Sequence, residues 1–273
     1  MSPIEFSRRI KLDNILGMDY DSLKSIQNGS MLSIPFENLD IIGGRRIEIE
    51  QEPIYKKLVE GKRGGYCYEL NGLLAWYLEA TGYDVTKIGA RVRNENGTYG
   101  PDNDHMILLV RLEQEYIVDA GFGDSAREPL PMAGQTASDV SGNYRIARTE
   151  DNEFHLEREQ NEGWTTQYKF SLTPQSTGDF HEANIYQQTS FDSHFKDRIF
   201  CSIATPEGRL TISGRKLVRT VGRKKETAIL QTLREFEDAL EEGFNFNSEV
   251  REITRLPKFR DVFEKSKHQQ SGP

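Results

Sequence analysis

The sequence predicts an α+β protein, and three observations carry that prediction. Up to about residue 82 the apolar residues fall at helical spacing. From residue 84 they alternate with a period of two, and from about residue 192 strand patterns lead into a further helical pattern. Helices and strands that arrive in separate runs, rather than in turn, belong to the α+β class. The expected organisation is a helical region over 1–83, a β region over 84–191 and a mixed region over 192–273. A chain of 273 residues is long for one core, so two or three subdomains are expected. No internal repeat or low-complexity linker parts them, and they should pack together.

Each element follows from its stretch. "IEFSRRIKL", "SLKSIQNGSMLS" and "EPIYKKLVEG" show partial helical periodicity. After Cys67, Leu70, Leu73, Leu74, Tyr77 and Leu78 keep the spacing of a helix with one face in a core, closed at Thr81-Gly82. "TKIGARVRN" puts Ile88, Ala90 and Val92 on one strand face. "HMILLVRL" and "EYIVDAGFG" flank a short polar turn and read as a hairpin. Further antiparallel strands are expected in 143–172, with turns at "EDNE" and "QNEGW". "RIFCSIATPEGRLTISGRKLVRTVG" reads as strands broken at Pro206-Glu207-Gly208. Ile229, Leu233, Phe236 and Leu240 then mark a final helix, and the tail after Lys265 should fray.

Composition narrows the function. Apolar residues make up 36% and charged residues 29%, with no apolar run long enough to span a bilayer. The N-terminus lacks the apolar core of a secretory signal, and two cysteines build no disulfide framework, so a cytoplasmic location is expected. A net charge of −8 argues against nucleic acid as a partner. The five histidines are scattered without a second ligand at metal-binding spacing, and no phosphate-binding glycine loop is present.

One stretch stands apart, "KRGGYCYELN" at 62–71. It places Cys67 in the first turn of a helix, where unpaired N–H groups and the dipole favour an anion. Such a thiol is either a nucleophile of lowered pKa or a buried structural cysteine. A nucleophile needs a base and a group that orients the base. His105 starts one hairpin strand and Asp119 ends the other, so both lie at one edge of the sheet. Spacing leaves register and facing open. Asp119 as a turn former and His105 as a plain strand-end residue are the alternative reading.

"RGGYCYELN" resembles the signature of the arylamine N-acetyltransferase family. The resemblance extends in order through "IPFENLDI" at 34–41, His105 before an apolar strand, "VDAGFG" followed by "PLP" at 129–131, and "CSIATPEGR" at 201–209. It implies a fold similar to papain-like cysteine peptidases, with an N-terminal helical bundle, a central antiparallel β-barrel and a C-terminal α/β lid. It implies a Cys67–His105–Asp119 triad and ping-pong acetyl transfer. Acetyl-CoA is the co-substrate and no metal takes part. The acceptor is an arylamine, arylhydrazine or N-arylhydroxylamine. Phe36 and Phe122 resemble the aromatic walls of the acceptor pocket, plain core packing being their alternative. Arg63 and Glu37 would form a structural pair, and Cys201 would be structural. "YGPDND" at 99–104 matches no family pattern.

The phosphates of CoA need cations, and 208–225 holds Arg209, Arg215, Lys216, Arg219, Arg223, Lys224 and Lys225 without an acid. With the family's lid region in mind, Arg215 and Lys216 are the candidates; basic residues on the solvent face of plain strands are the alternative. The expected partners are thus a small-molecule acceptor and CoA, with no nucleic acid or membrane, in a monomer or weak homo-oligomer. The competing functions are a related acyltransferase or amide synthase using the same triad, and an idle binding protein for CoA or aromatic ligands.

Overall fold

A computed structural model describes residues 1–12, 17–160, 163–222 and 224–266. The N-terminal part is helical. Helix Tyr20–Ser33 is capped by Asp19, whose carboxylate accepts from the Ser22 N–H at 2.8 Å. Helix Gln51–Tyr55 runs into a wider π turn, Lys56–Glu60, that ends at the glycine-rich stretch. Helix Cys67–Ala80 is the hub of the packing. Sequence periodicity predicts one buried face, yet every residue from Cys67 to Leu78 except Trp76 is buried. Its remaining faces meet other helices on one side and the β region on the other, the situation of an all-round buried helix. Thr81 caps it and Gly82, at φ +97°, turns the chain out.

An antiparallel sheet of eight strands forms a nearly closed barrel. At its centre are Asp84–Val92, His105–Arg111 and Glu115–Val118 on one side and Gly163–Gln175, Phe154–Gln160 and Gly142–Arg148 on the other. Strand His105–Arg111 is buried on both faces. Ile107 and Leu109 enter the barrel core, while Met106, Leu108 and Val110 join the helical core. That double burial explains an apolar run in place of alternation. The expected hairpin forms, with Leu108 opposite Val118. Of the two turns expected further on, residues 161 and 162 of "QNEGW" lie outside the described residues.

The C-terminal part holds a five-stranded antiparallel sheet: Phe36–Glu37, Phe200–Thr205, Gly208–Ser213, Lys216–Val221 and Lys224–Ile229. Its first strand comes from the N-terminal region, and this crossing was not expected from "IPFENLDI". Three helices, Leu233–Phe244, Val250–Thr254 and Pro257–Lys265, pack on one face around Phe236, Phe244, Phe259 and Phe263. Two expectations need correction. Ile229 ends a strand opposite Lys216, and the helix starts only at Leu233, where Thr232 caps the Glu235 N–H at 3.1 Å. That helix is also not the last. Asn245 at φ +59° stops it and two short helices follow. The tail from residue 267 lies outside the described residues.

Candidate active site

The cysteine loop is shaped by close backbone approach. Gly65 bridges Phe36 in parallel, and the Glu37 N–H donates to the Gly65 carbonyl at 2.9 Å. A Cβ at Gly64 would fall 2.3 Å from the Pro35 carbonyl oxygen, and one at Gly65 would fall 2.8 Å from Glu69. Two glycines therefore let "RGG" lie on "PFE". Glu69 then reaches back to accept from the Tyr66 N–H at 3.2 Å and fixes the helix start.

Behind that start lies a buried charge cluster. Arg63 donates to Glu37 at 2.5 Å and to Asp40 at 3.3 Å, and Lys57 pairs with Asp40 at 2.7 Å and Glu69 at 2.8 Å. The expected Arg63–Glu37 pair is therefore one edge of a larger network. Burial works against its charges, yet Lys57 and Arg63 hold Asp40 down to about 2. Glu69 is pushed up to about 7 by burial, with Lys57 opposing. Three carboxylates face two cations here, and Glu69 is the one raised toward its protonated form, by burial first and by Asp40 and Glu37 as well.

The hairpin brings His105 and Asp119 to this helix. By strand alternation His105 shares a face with Ile107, and Asp119 shares it with Ile117. His105 Nε2 lies 2.8 Å from Asp119 Oδ2. The other imidazole nitrogen, Nδ1, is left for Cys67, and the thiol and the imidazole are close enough to shift each other's pKa. The three predicted residues thus meet, and all are buried. Asp119 Oδ1 also accepts from Asn71 at 2.8 Å and from the Gly121 N–H at 2.9 Å, and Oδ2 accepts from the Tyr168 hydroxyl at 3.1 Å.

The electrostatics follow. Burial penalises charge on His105, but Asp119 and the Cys67 contact raise its pKa to about 10. Burial likewise opposes the Asp119 charge, and His105, Asn71 and the Gly121 N–H outweigh it, so the carboxyl stays below its usual range. Burial pushes the Cys67 thiol up, while His105 and the Met106 N–H pull it down. The net shift is upward, contrary to the lowering expected from the helix start, because burial outweighs the pull of His105 and the Met106 N–H. Asp119 biases the shared proton toward the imidazole, which is the bias a thiolate needs.

Two supporting residues escaped sequence reasoning. Asn71 donates to both the Met106 carbonyl and Asp119, and its own oxygen accepts from the Ala120 N–H at 2.9 Å. Its position four residues after Cys67, on the same helix face, was a usable signal. Tyr168 lies on a distant strand and gives none. The stretch without a family pattern, 99–104, is tied down by the Tyr68 hydroxyl, which donates to the Asn103 carbonyl at 2.8 Å, and so sets where His105 begins.

The aromatic candidates differ. Phe122 is half-buried, with its ring 5.3 Å from both His105 and Tyr168. Phe36 is buried in a cluster with Phe200 at 5.7 Å and Phe195 at 6.1 Å. A Cβ at Gly123 would meet its ring at 3.7 Å, so Phe36 packs against the turn that follows Phe122. Cys201 is buried in the C-terminal core, far above its ordinary pKa through burial.

The surroundings of Arg215 count against the phosphate role. Its Nε donates to the Leu230 carbonyl at 2.7 Å, Nη2 donates to that of Gln231, and the guanidinium lies 4.3 Å over the Phe263 ring. It is buried and committed to the sheet–helix joint. Lys216 is exposed at the start of its strand. Arg223 lies outside the described residues. Among the described residues no group of three or more His, Cys, Asp or Glu is arranged to hold a metal, and no helix is long and apolar enough to cross a membrane.

A buried cysteine at a helix start, joined through an imidazole to a carboxylate, is the arrangement of enzymes that work through a thiol nucleophile. Within that class, residues 19–253 match the N-acetyltransferase family model, and the chain belongs to that family. It is 33% identical to the Gallus gallus arylamine N-acetyltransferase of the pineal gland, isozyme NAT-3, over 83% of this chain and 87% of that one. It is 32% identical to Homo sapiens arylamine N-acetyltransferase 1 over 90% and 93%. The solved arylamine N-acetyltransferase of Mycobacterium smegmatis superposes with a TM-score of 0.88 at 28% identity, covering 97% of this chain and 98% of that one. The helical bundle, barrel and lid expected from the resemblance are thus the fold of its structural relatives.

Proposed function

We infer that this chain is an acetyl-CoA-dependent arylamine N-acetyltransferase working through an acetyl-cysteine. The observation that carries the reading is the buried grouping of Cys67, His105 and Asp119, with Asp119 bonded to one imidazole nitrogen and Cys67 interacting with the same ring, in a member of this family. The thiol proton passes to His105 Nδ1 as sulfur attacks the thioester carbonyl. The tetrahedral intermediate collapses, the C–S bond to CoA breaks, and the imidazolium returns the proton to the departing thiolate. In the second half, His105 takes a proton from the amine as nitrogen attacks the acetyl-Cys67 carbonyl, then gives it back to sulfur. Backbone N–H groups, that of Cys67 among them, hold the oxyanion. Asp119 keeps the imidazole oriented and stabilises its charged form.

Arylhydrazines and N-arylhydroxylamines complete the proposed acceptor range. Phe122 beside the imidazole supplies one wall for an aromatic ring, with Phe36 across the Gly123 turn. Of the two lid cations considered for the CoA phosphates, exposed Lys216 is retained. We assign the catalytic helix, the catalytic hairpin and the lid to regions 1–83, 84–191 and 192–273, in a cytoplasmic monomer or weak homo-oligomer. The test is direct. Protein, acetyl-CoA and an arylamine are mixed, and free CoA and acetylated amine should appear in equal amounts. CoA release without acetylated amine contradicts the reading.

A further inference from the structure

Between the barrel and the lid sheet lies an open cleft of about 1470 Å³, larger than the roughly 300–1,000 Å³ of common small-ligand sites. Arg209, Thr211, Thr220 and Lys225 line it from the lid, and Asp124, Ser141 and Arg158 from the barrel. Strand pairing puts Arg209 opposite Thr220, which lies opposite Lys225, so one face of the lid sheet carries both cations.

Arg209 is the unusual member. It is only 9% exposed, and its head is pinned from three directions. Nε donates to Asp124 Oδ1 at 3.1 Å, Nη1 donates to Ser202 Oγ at 3.0 Å, and Nη1 also donates to the Gly123 carbonyl. Its Nη2 has no hydrogen-bond partner among the described residues. An enclosed cationic N–H without an acceptor is costly, and proteins seldom retain one without use. Asp124 is half-exposed, and its second oxygen accepts from Arg158 Nη1 at 3.1 Å. One carboxylate thus bridges two guanidinium groups at the wall of the cleft, directly after the Phe122–Gly123 turn. This is the contact a ligand oxyanion would make, filled from within the chain.

We propose that Arg209 and Arg158 form an oxyanion subsite, in which the Asp124 carboxylate holds the place that a substrate oxyanion takes by displacing it. The oxyanion is a carboxylate on the aryl acceptor or a phosphate of the acetyl donor; both present the planar or tripodal oxygens that a guanidinium fork accepts. Arg209, held to Gly123, lies one residue from the proposed acceptor wall, so the subsite sets specificity rather than acetyl transfer itself. The choice of substrates rests on the acetyl-transfer reading; the anion site itself does not.

The inference gives opposite signs for neighbouring residues. Asp124→Asn removes the internal competitor, whereas Arg158→Gln and Arg209→Gln remove the acceptors' partners. Two ratios of kcat/KM are measured: acetyl-CoA over p-nitrophenyl acetate with a neutral arylamine, and 4-aminobenzoate over its methyl ester with p-nitrophenyl acetate. In at least one pair the charged-to-neutral ratio should rise in Asp124→Asn and fall about tenfold in both arginine variants. A change in the first pair assigns the donor phosphate, and a change in the second assigns the acceptor carboxylate. If Arg209→Gln does not fold, Arg158→Gln and Asp124→Asn, which alter more exposed groups, decide alone. Calorimetry with inorganic pyrophosphate and with benzoate needs no turnover: one of them should bind Asp124→Asn more tightly than the natural protein, and Arg158→Gln more weakly. Ratios and affinities that stay level, or that move the same way in all three variants, overturn the subsite. Tight anion binding with these signs but no acetyl transfer would instead overturn the enzymatic reading and leave the subsite standing.

Discussion

Asp119 is the residue on which the site turns, because four hydrogen bonds converge on its carboxylate from His105, Asn71, Tyr168 and the Gly121 N–H. An amide has one acceptor oxygen where the carboxylate has two, and it lacks the charge that keeps His105 protonated. Asp119→Asn should therefore lower acetyl transfer by on the order of 10³–10⁴ through the wrong tautomer. Alkylation of Cys67 by iodoacetamide at neutral pH should slow with it, since both need the imidazolium. Circular dichroism checks that the variant is folded. A folded Asp119→Asn protein of full activity would remove Asp119 from the triad. Cys201, sealed in the lid core, should change neither measurement when replaced by alanine.

At the scale of elements, the site depends on how closely the hairpin end is pressed to the Cys67 helix. A Cβ at Gly121 would lie 2.9 Å from Cys67 Cα and 2.8 Å from Asn71 Nδ2, so only glycine allows the present separation. Gly121→Ala should cost about 1–3 kcal/mol by overpacking and lower activity at least about tenfold by parting Asp119 from Asn71. Urea unfolding and steady-state rates measure the two effects; normal values of both would mean that the approach is slack. The hairpin itself was legible in the sequence, because its apolar runs and turn are local signals. So was the start of the catalytic helix, from two glycines followed by helical spacing. The lid strand Phe36–Glu37 was not: two residues carry no periodicity, and their partner Cys201–Ser202 lies more than 160 residues away. Arg215 misled for a related reason. A run of basic residues in sequence is split by strand alternation and turns, which send Arg209 to the cleft, Arg215 under the helices and Lys216 to solvent. The remaining supporting residue, Tyr168, had no sequence signal because its strand, far along the chain, reaches His105 and Asp119 only across the intervening Asp84–Val92 strand.

At the scale of the whole molecule, the buried charges tie stability to pH. His105 is raised to about 10 from an ordinary 6.5, so its contribution is complete below about pH 6.5 and is lost as pH rises through 10. Asp119 is lowered, so its contribution is present above its ordinary value of 3.8 and is lost on acidification below it. Glu69 is raised to about 7 from 4.5, so the folded state holds a proton that the unfolded chain has released, and stability declines between those values. Stability should therefore be greatest near pH 4 among these three groups and fall steadily toward pH 10. Urea unfolding across this range checks the slope. His105→Gln should flatten the limb above pH 6.5, and a slope unchanged by that substitution would mean that His105 is not held charged.

The central claim is that Cys67 carries the acetyl group between two half-reactions. It is tested most directly by incubating the protein with acetyl-CoA alone, without acceptor, and locating the adduct by peptide mass spectrometry. The account predicts one acetyl group, on the peptide that contains Cys67, and its loss when an arylamine is then added. An acetyl group on Cys201, or no covalent adduct in a protein that still acetylates arylamines, would contradict it.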